Sequence, residues 1–126
     1  MSQGEANTWA GELQGRTALL FCTDLLFLVQ LQSMARKAGW RDVTVRPGTP
    51  LPDGDLLIVD LSARADWGSV ITEAQSRGIE IVAFGPHMDA EARRSAKEAG
   101  ASRVLANSNL SRDLPLILRE EGRSKK

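Results

Sequence analysis

The feature that most constrains the fold is a repeated alternation of short apolar runs with helical segments. The runs are rich in β-branched or aliphatic residues and are continuous, without polar residues at every second position, which is typical of strands covered on both faces. Five strands are predicted: Thr17–Cys22, Asp42–Val45, Leu56–Asp60, Ile79–Phe84 and Arg103–Ala106. Helices between strands imply parallel pairing through right-handed crossovers. We therefore expect an α/β domain with a doubly wound, five-stranded parallel sheet.

The predicted helices share one pattern, an acidic residue before the first turn and a glycine after the last. This pattern predicts helices over Leu25–Ala38, Trp67–Arg77 and Ala90–Ala99. A fourth helix is predicted over Arg112–Glu121. Pro115 would then fall near its start, where a missing N–H costs little because the first turn has no partners for its N–H groups.

One crossover cannot contain a helix. The segment Arg46–Asp55 holds three prolines and two glycines, which exclude a regular helix. Its length is close to the minimum of roughly ten residues for a parallel crossover. We expect an extended loop that replaces the second helix, lies tightly across one sheet edge and leaves that face less covered.

The bulk composition narrows the function. A chain of 126 residues fits one domain, and its 16 basic and 16 acidic residues leave no excess charge to bind nucleic acid. The single cysteine cannot form an internal disulfide, and the longest apolar stretch, Ala18–Leu31, is interrupted by polar residues and too short to cross a bilayer. We expect a soluble cytoplasmic protein that binds neither nucleic acid nor membrane.

The domain boundaries follow from the polar ends of the sequence. Residues 1–15 are predicted to be a flexible N-terminal arm, in which Trp9 and Leu13 could serve as anchors. Residues 16–121 form the predicted domain. Residues 122–126 are predicted to be a disordered tail.

Three strings in the sequence resemble bacterial response-regulator receiver domains. The string DLLIVDLS, residues 55–62, is similar to the third strand of that family and places Asp60 at the phosphoacceptor position. The string EIVAFGPH, residues 80–87, resembles the fourth strand and its switch loop, and EAGASRVLAN, residues 98–107, resembles the approach to the fifth. The resemblance covers nearly the whole chain. It implies the flavodoxin-like, CheY-like fold with strand order 2-1-3-4-5.

The phosphorylation pocket implied by this resemblance departs from the family pattern. For the family's acidic pair, which holds Mg²⁺, the chain offers Thr23 and Asp24. Counted back from Gly39, Thr23 falls nearer the second acid position than Asp24 does, so Asp24 could be a helix cap and not a metal ligand. Asn107 replaces the family's lysine at the end of the fifth strand, and Gly85 replaces the Ser or Thr that binds the phosphoryl group. The aromatic switch residue falls near Val104, whose side chain is too small for that role.

These departures weaken the case for phosphorylation of Asp60, because positioning and charge neutralisation supply most of the catalysis in phosphoryl transfer. Asp60 could instead be a carboxylate that caps or hydrogen-bonds nearby backbone N–H groups. Ser62 and His87 complete the predicted rim of the crevice. His87 could act as a general base, but the only histidine of a chain is more often a surface loop residue. No metal site is expected unless Asp24 and Asp60 hold Mg²⁺.

Two surfaces could contact a protein partner. Residues 25–29 are apolar on all sides, although a helix on a sheet needs only an apolar stripe. The N-terminal arm, the sparsely covered face or a partner chain could cover them. The helix at 90–99 carries a basic cluster that is either a solvated face or a docking patch. The candidate interface residues are Leu25, Phe27, Arg93, Arg94 and Lys97.

Our preferred hypothesis is a stand-alone pseudo-receiver, a phosphorylation-independent protein-interaction module of bacterial regulation without enzymatic activity or cofactor. Its partner would be another protein or a second copy of the chain. The alternative is a single-domain response regulator that is phosphorylated on Asp60 with Mg²⁺. A third hypothesis, a small flavodoxin-like ligand-binding protein, has little support, because no glycine-rich phosphate loop follows the first strand.

Overall fold

The computed structural model describes residues 16–62, 66–86 and 90–124. Its five strands form one parallel sheet in the order β2-β1-β3-β4-β5. The strands are β1 (Thr17–Phe21), β2 (Arg41–Thr44), β3 (Leu56–Asp60), β4 (Glu80–Gly85) and β5 (Arg103–Ala106). The predicted doubly wound sheet and its strand order are confirmed, and each strand boundary agrees with the prediction to within one residue.

Two layers of helices cover the sheet. The helices are α1 (Leu25–Lys37), α2 (Trp67–Ser76), α3 (Ala90–Ala99) and α4 (Asn107–Ser124). Buried residues of α1 and α4 pack on one face, and those of α2 and α3 pack on the other. No helix in the described ranges has both the length and the apolar character needed to cross a bilayer.

The aspartate before and the glycine after each of α1 and α2 lie at the helix ends, as predicted. Asp66 is the N-cap of α2, and its Oδ1 accepts a hydrogen bond from the Ser69 backbone N at 3.1 Å. Gly39 and Gly78 follow the two helices with φ angles of 87° and 74°, the left-handed conformation that favours glycine. The acidic start predicted for α3, Asp89, lies outside the described residues.

The start of the last helix differs from the prediction. The α4 helix begins at Asn107, directly after β5, so Pro115 lies in the helix interior and not near its start. An interior proline costs about 3 kcal/mol, which is why the sequence favours a start close to Pro115. Burial outweighs this cost, because each fully buried aliphatic side chain contributes roughly 1.5–3 kcal/mol. The helix buries Leu110, Leu114, Ile117 and Leu118.

The end of the last helix also differs. Residues 122–124 continue α4 and do not belong to the disordered tail predicted from residue 122. Gly122 lies against the Trp40 ring, since a Cβ on this glycine would be 3.6 Å from Trp40 Nε1. That contact holds the last turn against the domain. Residues 125–126 and the arm predicted for residues 1–15 lie outside the described residues.

The Pro/Gly-rich crossover lies on the face covered by α2. Leu51 is buried there, and Gly54 passes so close to β1 that an added Cβ would lie 2.6 Å from Leu19 Cγ. Arg77 Nη1, just after α2, donates a hydrogen bond to the Leu51 carbonyl at 2.8 Å. The loop thus takes the place of the second helix, as predicted. The sheet edge is less covered, because Val43, paired with Leu19 on the same face, is 36% exposed.

Candidate functional site

The carboxyl ends of the parallel strands meet at one edge of the sheet, where open α/β folds place their ligands. Phe21 of β1 pairs with Val59 of β3, so the next residues, Cys22 and Asp60, are neighbours at this edge. Asp60 in turn pairs with Phe84 of β4. The register therefore places Cys22, which the sequence analysis did not count among the site residues, directly beside the candidate acceptor.

Asp60 is a buried carboxylate, with 2% of its surface exposed. Its Oδ1 accepts hydrogen bonds from the Ser62 backbone N at 2.9 Å and from the Ser62 hydroxyl at 2.6 Å. Its Oδ2 lies 3.6 Å from Cys22 Sγ, within reach of a weak thiol hydrogen bond. None of the ion pairs formed within the described ranges involves Asp60. Neutral donors from the turn after β3 and from the residue after β1 thus satisfy this carboxylate.

Cys22 is held as a neutral thiol. Burial raises its pKa from the ordinary value of 9.0 to about 11, and the negative charge of Asp60 acts in the same direction. Its Sγ also lies 3.5 Å from the Asp24 carbonyl oxygen, so the single thiol hydrogen has two acceptors within reach. A protonated thiol is a poor nucleophile and a poor metal ligand.

Asp24 is the N-cap of α1. Its Oδ1 accepts hydrogen bonds from the backbone N atoms of Leu26 at 2.9 Å and Phe27 at 3.2 Å. These two N–H groups belong to the first turn and have no partner inside the helix. Thr23, one residue earlier, is exposed. Of the two roles open to Asp24, this geometry is that of a cap.

The described residues do not fit a Mg²⁺ site. Mg²⁺ takes oxygen ligands in near-octahedral geometry and is held by one or two carboxylates together with water. No group of three His, Cys, Asp or Glu side chains in the described ranges could hold a metal ion. The group within hydrogen-bond reach of Asp60 Oδ2 is the protonated Cys22 thiol, and Oδ1 of the nearby Asp24 is engaged in capping α1.

The ends of β4 and β5 offer little to a phosphoryl group. Gly85 is the buried last residue of β4 and has no side chain to donate a hydrogen bond. Asn107 opens α4, and its Oδ1 is buried with no hydrogen-bond partner in the described part of the chain. An amide carries no charge and cannot neutralise an anion. Val104 is 7% exposed and belongs to the core on the α2 and α3 face.

Most residues at this edge of the sheet were among the predicted site residues, but Cys22 was not. A signal for it was present: Thr23 falls near the second position of the family's acidic pair, which puts Cys22 near the first. A cysteine at the end of an apolar strand is more simply interpreted as core packing. His87 lies outside the described residues.

The apolar start of α1 divides into a buried and an exposed side. Phe27 is half-buried, with its ring centroid 5.7 Å from that of Phe84, so its side chain belongs to the core. Leu25, Leu26 and Val29 are 74%, 79% and 61% exposed. The exposed apolar surface of this helix is therefore formed by these three residues.

In the basic cluster of α3, formed by Arg93, Arg94 and Lys97, the first residue differs from the other two. Arg93 Nη1 donates a hydrogen bond to the Val104 carbonyl at 2.9 Å, which ties this side chain to β5. Arg94 and Lys97 are exposed. They are the cluster members available to a partner.

Comparison with solved structures finds the same architecture in receiver domains. The receiver domain of the Francisella response regulator 1452 superposes with a TM-score of 0.72 at 12% identity, over 88% of this chain and 99% of that one. A response regulator receiver domain protein from Clostridium thermocellum gives 0.71 at 15% identity, over 87% and 96%. The receiver domain of a sensor histidine kinase from Pseudomonas aeruginosa PAO1 gives 0.72 at 20% identity, over 85% and 97%.

The last of these structures contains a magnesium ion coordinated in its active-site cleft. No protein-family model and no curated protein matches the present sequence. At these identities the likeness establishes the fold, and a fold does not by itself determine function.

Proposed function

From the premise that this chain has the fold of a response-regulator receiver domain, we propose that it is a pseudo-receiver. It acts in bacterial regulation as a protein-interaction module and does not depend on phosphorylation of Asp60. The observation that supports this function is the surroundings of the Asp60 carboxylate. Its hydrogen-bond donors are the Cys22 thiol and Ser62, it forms no ion pair within the described ranges, and no group of three metal-ligating side chains gathers there.

The lack of positive charge beside Asp60 in the described part of the chain opposes phosphoryl transfer to it. Transfer of a phosphoryl group to a carboxylate brings two anions together, and catalysis depends on fixed positive charge at that point. Cys22 and Ser62 offer only neutral donors. Asn107 supplies no cation at the end of β5, and Gly85 supplies no hydroxyl at the end of β4. We therefore expect slow phosphoryl transfer to Asp60 and little stabilisation of the aspartyl phosphate that it would form.

The same surroundings argue against an enzyme. The one cysteine has a pKa raised to about 11 and stays protonated near neutral pH. The module as proposed has no enzymatic activity and no cofactor.

Binding of Mn²⁺ as a paramagnetic substitute for Mg²⁺ tests the proposal. In amide NMR spectra of the wild-type protein we expect no selective broadening at Asp60, Leu61 and Ser62. The variant Cys22→Asp places a second carboxylate beside Asp60, and we expect it to gain such broadening. The uncharged variant Cys22→Asn is the matched control and should not gain it. Selective broadening at Asp60 in the wild type would contradict the proposal, whatever the variants do.

A second function is favoured by one observation, the presence of an aspartate at the carboxyl end of β3. Under this alternative the chain is a response regulator in which Asp60 still accepts a phosphoryl group. Its Oδ1 would have to exchange the hydrogen bonds from Ser62 for contacts with the incoming group. Phosphate analogues distinguish the two functions.

The partner that we propose is a second copy of the chain, bound through β5 and the adjoining sides of α3 and α4. The groove at this place carries both signs of charge: Arg103 and Glu120 form an ion pair within the chain at 3.0 Å, and Lys97 and Asp113 also line the groove. Leu116 beside them is 55% exposed. A two-fold axis would pair basic residues of one copy with acidic residues of the other.

Sedimentation velocity over a range of concentrations tests this dimer. We expect a concentration-dependent dimer that is lost in Leu116→Asp. It should persist in Leu25→Asp, which places the same charge on an exposed leucine of α1. A monomer at every concentration, or a dimer that tolerates Leu116→Asp, would contradict this interface.

A further inference from the structure

An open groove lies between α1 and α4, on the sheet face opposite the Pro/Gly-rich loop. Its volume is about 740 Å³, within the range of roughly 300–1,000 Å³ that is usual for ligand pockets. Val29, Met34 and Pro115 contribute apolar lining, and Lys37 and Arg119 contribute positive charge. Val29 is one of the three exposed apolar residues of α1. The groove is therefore apolar with a basic rim.

We propose that the N-terminal segment, residues 1–15, occupies this groove in the same molecule. The segment has Trp9 and Leu13 as its large apolar side chains after Met1. Glu5 and Glu12 are its only charged side chains. An acidic segment with two apolar anchors complements an apolar groove with two basic residues in both charge and hydrophobicity.

The point where the segment joins the domain favours this occupant. The Arg16 carbonyl accepts a hydrogen bond from the Arg41 backbone N at 3.0 Å. Arg41 follows Trp40, whose Nε1 donates to the Leu118 carbonyl at 3.1 Å. Leu118 is next to Arg119 in α4. The segment thus leaves the domain beside the end of the groove that carries the basic residues.

The segment is long enough to fill the groove. Along an extended chain of roughly 3.3–3.6 Å per residue, Leu13 can lie about 10 Å from Arg16 and Trp9 about 24 Å from it. The α1 side of the groove runs from Val29 to Ala38, which corresponds to about 13 Å at 1.5 Å per helical residue. Leu13 can therefore reach the near end of the groove and Trp9 the far end.

Pro115 adds a polar feature to the groove. It has no N–H to donate to the Ser111 carbonyl four residues earlier, and both residues line the groove. The carbonyl therefore lacks its α-helical donor. The indole N–H of Trp9 is a donor of the kind that this carbonyl can accept.

Paramagnetic relaxation enhancement in the full chain tests the proposal. A nitroxide attached to Thr8→Cys lies next to Trp9 and leaves both anchors intact. Cys22 should remain unlabelled, because it is 5% exposed and its pKa is raised to about 11. We expect the oxidised label to reduce the amide signals of Ser33, Lys37 and Ser111 at least twofold relative to the reduced label. Thr49 and Ser76, on the opposite side of the sheet, should be unaffected.

Two variants of the labelled chain identify the contacts. Trp9→Ala with Leu13→Ala should abolish the signal loss in the groove, because both anchors are removed. Lys37→Glu with Arg119→Glu should reduce it, while Arg94→Glu with Lys97→Glu, the same charge change on α3, should leave it intact. Signal loss that is absent, evenly spread over the domain or unchanged in the anchor variant would overturn the proposal.

A mixed sample distinguishes this molecule's own segment from that of a second copy. Labelled ¹⁴N chain is mixed with unlabelled ¹⁵N chain, so only contacts between molecules reduce the observed signals. We expect no loss at Ser33, Lys37 or Ser111. A loss at these residues that grows with the share of labelled ¹⁴N chain in the mixture would mean that a second copy fills the groove, and would overturn the proposal. A dimer through Leu116 remains compatible with either result.

Discussion

At Asp60 the chain buries a carboxylate without an ion-pair partner in the described residues. Burial of such a group is costly unless hydrogen bonds replace its lost hydration. Ser62 supplies two of these bonds from a position two residues later, and Cys22 supplies a weak third from the neighbouring strand. The stability of the strand ends and the chemistry of the site therefore depend on the same three side chains.

Removal of the Ser62 hydroxyl should destabilise the domain. Ser62→Ala keeps the backbone N–H bond to Asp60 but loses the 2.6 Å hydroxyl bond. A hydrogen bond to a charged group contributes about 1.5–3 kcal/mol, and we expect the free energy of unfolding at pH 7, from urea denaturation, to fall by that amount. Ser76→Ala, which removes an exposed hydroxyl bonded to the Glu73 carbonyl, is the control. Equal losses in the two variants would argue against a charged acceptor at Ser62.

The raised pKa of Cys22 predicts a stability difference at alkaline pH. The thiol pKa is about 11 in the folded protein and 9.0 as its ordinary value. The folded state therefore holds the proton more tightly, and this contribution is complete below pH 9 and is lost as pH rises through 11. Two pKa units correspond to an upper limit of about 2–3 kcal/mol.

The measurement compares the wild type with Cys22→Ala, so that all other titrations cancel. We expect the stability advantage of the wild type to decline between pH 9 and 11 in urea denaturation. A difference independent of pH over that interval would mean that the thiol titrates normally in the folded protein.

Single residues could be predicted where strand order decides their position. Asp60 and Gly85 are the last residues of adjacent strands and Asn107 directly follows the next one, and a parallel sheet places such residues at one edge. The contact between Cys22 and Asp60 depends on the register of β1 against β3, which hydrophobic pattern alone does not determine. The cap at Asp24 followed from its place before an apolar helical segment.

Among the elements, the Pro/Gly-rich crossover is the clearest departure from a regular βαβ unit. Its prolines excluded a helix from sequence alone, and its length required a tight path. The contacts that fix this loop to the domain could not be predicted from the sequence. Leu51 is buried in the core, and Gly54 lies against Leu19. Arg77 then holds the loop to the end of α2.

Gly54→Ala should be destabilising, because its Cβ would lie 2.6 Å from Leu19 Cγ and 2.9 Å from both Cδ atoms. Overpacking of this kind costs about 1–3 kcal/mol. The matched control is Gly68→Ala in the first turn of α2, where the nearest atom to an added Cβ is at 3.5 Å. Alanine there should be neutral or stabilising by up to about 1 kcal/mol. The melting temperatures of the two variants test this prediction. An unchanged melting temperature in Gly54→Ala would mean that the loop lies further from β1.

The boundaries of α4 show where local propensity fails. Pro115 and Gly122 both argued for a shorter helix, and the helix passes through both. The apolar residues at 110, 114, 117 and 118 recur with the period of a buried helical face, and their burial decides the outcome. Local stop signals are reliable at α1 and α2 because no such buried face continues past Gly39 or Gly78.

For the whole molecule, the alternation of strands and helices was sufficient to predict the fold. Function is less accessible, because solved structures at 12–20% identity share the architecture and not necessarily the chemistry. The apolar groove between α1 and α4 required three dimensions to recognise, since its two walls are more than 70 residues apart in sequence. A cytoplasmic location stays a prediction from the sequence.

The most direct test of the central claim is the response of the wild-type protein to beryllofluoride with Mg²⁺, followed by amide NMR. We predict no saturable shifts at Asp60, Gly85 and Asn107, because the side chains that contact Asp60 in the described site, Cys22 and Ser62, are neutral donors. Saturable, Mg²⁺-dependent shifts at these three residues that vanish in Asp60→Asn would contradict the account and identify a working phosphoacceptor.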